Sequence, residues 1–415
     1  MGMRKVFLLL FMVVAGCLHA QRNEIFDPRI ASLQVVAGSR WQSLPVVMLG
    51  SGEAIHIAFD DLTHTYHRYT YRIDHCEADW SISRGLFASD YISGFYSGNT
   101  IDDNCESVGT NTLYTHYQLR IPNERCTLKM SGNYRLTVFD DNNDDQPMFT
   151  AHFMVAEAAM GVSLGVSTNT DIDLNGSHQQ VDMQVNYGGQ TVIDPARQLK
   201  TVVLQNGRWD NAVVNPQPRY VMPEGLRWTH ERSLIFEAGN EYRKFEALDV
   251  DRPTLGVNEI RWDGRDYHVM LYPDEIRRNY VYDEDANGAF YIRNSDNHDN
   301  DCASEYVVVH FTLHVSQPVA GDVYLNGAWT NDRFLPQYRM EYDAAAHCYR
   351  CAISLKQGYY SYQYVVLHGD GSATVFPIEG SFYQTGNRYQ ALVYFRANEA
   401  RADRLVGYTE IDFKR

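Results

Sequence analysis

The side chains that could carry chemistry in this sequence are histidines, a close cysteine pair and two acidic runs. His64, His67 and His75 lie near one another, and imidazoles that converge ligate zinc. His64 and His67 precede a strand-like run, however, and residues three apart in extended chain point to opposite faces. Polar loop and strand histidines are therefore the expectation. Tyr114-Thr115-His116-Tyr117 adds one more imidazole, with neither a nucleophile nor an acid beside it in sequence. General acid–base work needs such a partner, so a hydrogen-bonded structural histidine is expected there. Asp140-Asp141-Asn142-Asn143-Asp144-Asp145 resembles a calcium loop but lacks the glycine and the distal bidentate glutamate of an EF-hand. It reads as an acidic hairpin tip, and Asp296–Asp301 reads as a solvated linker. Cys348-Tyr349-Arg350-Cys351 has redox or zinc spacing, without a second pair to complete a four-cysteine site. A redox motif would open a helix, whereas this one opens a strand, so structural thiols or a bond from one of them to Cys302 are expected. No nucleophile elbow, zinc-protease helix or phosphate loop is present. The expectation is a protein with no catalytic residues, no metal and no cofactor.

The elements that would position these residues are strands. Short alternating runs recur between turn signals, and sustained helical periodicity is missing. In residues 21–156 the runs are Ser32–Val36, Pro45–Leu49, Ile55–Asp60, Tyr69–His75, Thr115–Ile121, Asn133–Phe139 and Phe149–Val155. Seven strands in that length suit an immunoglobulin- or fibronectin-like sandwich, with Trp80 plugging the end of its core. Residues 157–280 repeat the style with Val181–Tyr187, Thr201–Gln205, Asn258–Trp262 and Tyr267–Tyr272, and Asn206-Gly207 is a hairpin signal. Residues 281–415 hold Tyr306–Val315, Tyr349–Leu355, Tyr359–Val366, Tyr389–Arg396 and a last run from Leu405 to Phe413. The fold expected is all-β, three sandwiches in tandem.

Composition narrows the role. The chain carries 52 acidic and 36 basic residues, a formal charge of −16, which disfavours nucleic acid as a partner. Arg4 and Lys5 followed by the apolar run Val6–Ala15 read as a secretion signal over residues 1–20. Leu18-His19-Ala20 offers cleavage before Gln21, the reading adopted, while Val14-Ala15-Gly16-Cys17 also resembles a lipoprotein box that would lipidate Cys17. No later apolar run is long enough to span a membrane as a helix. Beyond Cys17 there are six cysteines, at 76, 105, 126, 302, 348 and 351, and an oxidising compartment permits disulfides whose pairing the spacing leaves open.

Two resemblances complete the reading. Val323-Tyr324-Leu325-Asn326-Gly327-Ala328-Trp329 followed by the Leu355–Tyr364 hairpin resembles the sandwich of glycogen- and starch-binding modules. Trp329 stands where that family keeps a sugar-stacking aromatic, and Thr330-Asn331-Asp332 replaces the next one. The chain as a whole resembles the plug-protein family of the type IX secretion system. The resemblance rests on His75-Cys76-Glu77-Ala78-Asp79-Trp80, Asp90–Phe95, Asn111–Tyr117, Ser131–Tyr134, Leu355–Tyr364, Ile378–Ser381, the strand to Arg396, and Arg401–Leu405. It implies a non-catalytic periplasmic protein seated at the inner opening of the very large outer-membrane translocon barrel. Tyr91, Phe95 and Tyr96 are the candidate contact residues, because aromatic side chains are enriched in interface cores; packing into the first sandwich is the competing role. The runner-up is a carbohydrate-binding envelope protein, lipid-anchored through Cys17.

Overall fold

The computed structural model describes residues 22–414. The expected signal over residues 1–20, with the sites at Cys17 and Gln21, lies outside the described residues, as do the side chains of 143–145 in the acidic hairpin. Strands form nearly all the regular structure, and the α-helices are single turns such as Ala88–Tyr91 and Asn300–Ala303. Among the described residues no helix is long and apolar enough to cross a membrane.

The first body is a two-layer antiparallel sandwich. One layer runs in the order Glu24–Ile25, Asn143–Ala156, Gly132–Asp140, Tyr69–Cys76, Ser97–Thr100. The other runs Ile30–Ala37, Ile55–Asp61, Thr115–Ile121, Asp103–Glu106. Each of the seven runs expected from the sequence coincides with a strand. Period-two alternation explains why: Tyr69, Tyr71 and Ile73 are buried, whereas Arg72 and Asp74 pair with each other at 3.0 Å. Between the layers Phe59 stacks on Tyr117 with centroids 5.2 Å apart and meets Tyr69 and Phe149 edge-on. Such ring pairs add about 0.5–1.5 kcal/mol each beyond the area they bury.

The boundaries expected at 157–280 and 281–415 cut across the strand pairing. One middle sheet is Gly161–Ser167, His178–Asn186, Gly225–Trp228, Tyr220–Met222. The sheet facing it is Val213–Val214, Leu199–Gln205, Asn387–Phe395, Arg404–Phe413, so the last two strands of the chain return to the middle body. Conversely Arg243–Ala247 pairs with Gly358–Leu367, and Tyr267–Leu271 lies beside Tyr306–His314, placing residues 243–275 in the last body. The physical reason is legible in Asn387–Phe395, which is buried on both faces. Tyr389, Ala391, Val393 and Phe395 enter the middle core. Leu392 and Tyr394 enter a second core that also takes Leu44, Trp80 and Met154 from the first body. A strand apolar on both faces needs a layer on each side, and only the position between the first and middle bodies supplies that. Nor does the expected boundary at residue 281 fall between bodies: Phe290–Ile292 adds to the same last-body sheet as Arg243–Ala247, and Asn300–Ala303 carries the buried Cys302.

Candidate functional site

The aromatic loop proposed as a contact surface divides in two. Tyr91 is 7% exposed and belongs to the first body's core, with its hydroxyl donating to Ile73 O at 3.3 Å. Phe95 and Tyr96 are 71% and 43% exposed, and Phe87, just before the same single-turn helix, is 73% exposed. The loop that carries them is pinned along its length. Phe87 N donates to Asp90 Oδ2 at 2.8 Å, and that carboxylate also pairs with Arg401 at 2.8 Å. Ile73 N donates to Tyr96 O, and Phe95 N to Arg125 O. Gly94 has φ +97, and a Cβ there would lie 2.1 Å from Arg125 O, so only glycine fits the turn between them. The backbone beneath the exposed rings is thereby fixed.

The residues that carry the family resemblance gather at the joints between bodies. At the first joint Glu77 accepts from Asp403 N at 2.8 Å and pairs with Arg396, while Asp403 accepts from Ala78 N at 3.0 Å, Lys200 Nζ at 2.7 Å and Arg396 Nε at 2.9 Å. His75–Trp80 and Arg401–Leu405, far apart in sequence, thus form one polar clasp over the shared apolar core. Trp80 lies in that shared core, edge-on to Trp209, rather than closing the first sandwich alone.

The second joint links the first and last bodies. Asp60 is fully buried and takes Lys356 Nζ at 2.7 Å, Tyr306 O–H at 2.6 Å and His116 Nδ1 at 2.6 Å. Burial alone would raise its carboxyl, yet Lys356 and His116 hold it below the ordinary range. His116 is thus a structural histidine whose acid comes from the adjoining strand. Glu305 caps Asn111 N and, at 2.9 Å, Thr112 N. A disulfide joins Cys105 to Cys302, not Cys302 to either member of the 348/351 pair. Cys348 is buried, Cys351 half-buried, and neither is in a disulfide. They sit three apart in the strand Cys348–Lys356 and so face opposite sides.

The third joint is the segment Ile378–Asn387, which carries the chain from the last body back to the middle one. Glu379, 1% exposed, accepts from Arg243 Nε at 3.1 Å, Arg277 Nε at 2.8 Å and Tyr364 N at 2.9 Å. Burial raises its carboxyl, but the two guanidiniums outweigh burial and hold it below the usual glutamate value. Gln179 donates to Tyr383 O and Thr385 O, both at 2.9 Å, and Asn387 donates to Gln179 Oε1 at 3.0 Å. These joints had no signal in the sequence beyond charged residues interrupting apolar runs, as in Leu355-Lys356-Gln357.

The remaining candidates take structural places. His75 is buried between Ser83 Oγ (2.8 Å) and Ser131 O (3.1 Å), and burial pushes its pKa down. His67, before the strand Tyr69–Cys76, lies 3.6 Å from Asp140 and 3.8 Å from Asp61, and His75 lies near the other end of that strand. Among the described residues no group of three or more histidine, cysteine or acidic side chains is disposed to hold a metal ion. Trp329, expected at a sugar-binding surface, is 7% exposed, stacks on Phe311 and donates to Ser361 O at 3.1 Å. It is a core residue and presents no face to a sugar.

Comparison with known proteins gives three findings. The family model for the first domain of type 9 secretion system plug proteins matches residues 30–157. A crystal structure of a hypothetical protein from Parabacteroides merdae ATCC 43184 is similar at 40% identity, covering 94% of this chain and 99% of that one, with a TM-score of 0.91. Trypsin-activated alpha-2-macroglobulin from Escherichia coli aligns at 10% identity over 97% of this chain and 29% of that one, with a TM-score of only 0.15. No curated protein matches the sequence.

Proposed function

The chain belongs to the type 9 secretion system plug protein family, and from that premise we propose that it closes the periplasmic opening of the outer-membrane translocon barrel when the pore is idle. A seal for a pore wide enough to pass folded proteins must itself be a large body that does not deform. The observation that supports this role is the set of three joints. The first and middle bodies share an apolar core, the first and last share a disulfide and a buried ion network, and the middle and last share the Glu379 segment. Each body is thereby fixed to both others, so little ordering cost remains on docking. Phe87, Phe95 and Tyr96, exposed on a pinned loop, are the contact residues this reading selects; Tyr91 supports the loop from inside. The protein performs no chemistry in this role: His75 and His116, two of the candidates for it, are engaged in buried hydrogen bonds. The test is purification of the native translocon through a tag on the barrel. The plug should accompany it, and a variant with Phe95→Ser and Tyr96→Ser should be depleted while remaining folded. Absence of the unmodified chain from the purified barrel would overturn the proposal.

A further inference from the structure

The buried node between the first and last bodies holds an amine and a carboxyl group in contact. Lys356 closes the strand Cys348–Lys356, and Asp60 lies in the strand Ile55–Asp61 of the first body. Their side chains are 1% and 0% exposed, and Lys356 Nζ lies 2.7 Å from Asp60 Oδ2, one bond away from the carboxyl carbon. Nζ also donates to Asp301 O at 2.6 Å and stands 4.1 Å from the centre of the Tyr114 ring. A backbone carbonyl and an aromatic face thus fix the amine against the acid.

Each carboxyl oxygen carries a further donor. His116 Nδ1 donates to Oδ1 at 2.6 Å, and Tyr306 O–H donates to Oδ2 at 2.6 Å. The Tyr306 hydroxyl is itself steadied by Ser32 Oγ at 2.7 Å. Oδ2 therefore meets both the amine and a hydroxyl acid, whereas Oδ1 meets the imidazole. A simple ion pair needs only the amine and the carboxylate. Here a donor also stands where an oxyanion would form, and an acid where an oxygen would leave.

The energetics of burial favour the same chemistry. Taking two ions out of water is costly even when they pair, and an amide carries neither charge. Burial pushes the Lys356 amine down, toward the free base that attacks. One proton crossing the 2.7 Å contact turns the ion pair into a neutral acid and a neutral amine. Groups held together in this way react at effective concentrations of up to about 10⁵–10⁸ M.

We propose that Asp60 and Lys356 condense into an isopeptide bond that joins the first and last bodies covalently. Nζ attacks Cγ, and the carbonyl electron pair moves onto Oδ1, where His116 holds it. The tetrahedral centre then collapses with loss of Oδ2. That oxygen already carries the proton of the initial transfer and takes a second from Nζ by way of the Tyr306 hydroxyl. The Nζ–Cγ bond forms, the Cγ–Oδ2 bond breaks, and one water leaves. No oxidant or reductant is consumed. Unlike the Cys105–Cys302 disulfide, this link survives reduction.

The test is mass spectrometry of the whole chain after reduction and unfolding. The intact mass, counted from the observed N-terminus, should fall short of the sequence mass by one water. Trypsin should leave Lys356 uncut, and residues 41–68 should be recovered joined to residues 351–388. Tyr306→Phe keeps the ring and removes the acid, so the joined fraction of freshly purified, folded variant should fall about tenfold or more. Separate recovery of residues 41–68 and 357–388 from the unmodified chain, at its full mass, overturns the proposal whatever the variant does. Joining in the folded variant as complete as in the parent overturns it as well, because the bond would then form without the acid of this site.

Discussion

Glu379→Gln loosens the last-body end of the segment that joins the middle and last bodies. The substitution keeps the shape of the side chain and removes its charge, leaving an amide among donors from Arg243, Arg277 and Tyr364 N. Breaking a buried ion pair by removing one partner costs about 3–5 kcal/mol. Two features move the value to the lower end. Arg243 retains Asp274 at 2.6 Å and Glu275 O at 2.8 Å, and Arg277 is partly exposed. A loss of about 3 kcal/mol is therefore expected, which for cooperative units of 150–250 residues lowers the melting temperature by roughly 6–12 °C. The pH dependence supplies a second check with a fixed sign. The folded carboxyl lies below its unfolded value, so its contribution is fully present above the unfolded glutamate pKa and is lost as pH falls through the folded one. Calorimetry of both proteins from pH 7 down to about pH 3, on either side of the ordinary glutamate value, should show the gap wide at the start and narrowing in acid. A gap below about 2 °C at pH 7, less than 1 kcal/mol predicts, would refute the assignment of Glu379 as the anchor of this joint. So would a gap that widens in acid.

Three further outcomes follow from particular side chains. Tyr91→Ser should cost about 3–5 kcal/mol of stability as a buried aromatic, whereas Phe95→Ser should stay within about 0.5 kcal/mol, both read by urea denaturation. Peptide mapping without reductant should recover Cys105 joined to Cys302, with Cys76, Cys126, Cys348 and Cys351 alkylated after unfolding; the double serine variant at 105 and 302 should lose about 2–5 kcal/mol. Asp285 is pushed up to about 7 by burial and by Glu241, so its contribution is present below the unfolded aspartate value and lost as pH rises through about 7. Asp285→Asn should accordingly melt higher than the parent at pH 8 and level with it near pH 4, checked by thermal denaturation at both values.

The strands were legible because alternation is a local signal: Tyr69, Tyr71 and Ile73 against Thr70, Arg72 and Asp74 specify a half-buried strand whatever it pairs with. Pairing partners were not legible. Leu199–Gln205 finds Asn387–Phe395 across most of the middle and last bodies, and no local pattern encodes that return. The continuous apolar run Ala391–Phe395 read only as a strand, and its burial on both faces, with a layer on each side, emerged with the fold. Buried ions escaped the same way. Asp60 and Lys356 read as the polar ends of strands, and only the folded chain, with 296 residues between them, makes them one node. Aromatic residues misled at Trp329 and Tyr91, which fill cores, while Phe95 and Tyr96 stay exposed, and ring type alone does not separate interface from interior.

The central claim is that this body closes a pore. Its most direct test is the conductance of the purified outer-membrane barrel in a planar bilayer, with this protein added to one side at a time. Addition to the periplasmic side should lower the open-pore current in a saturable way, and addition to the opposite side should leave it unchanged. A current unaffected from either side, with the protein shown by the same tag to be bound to the barrel, would contradict the account.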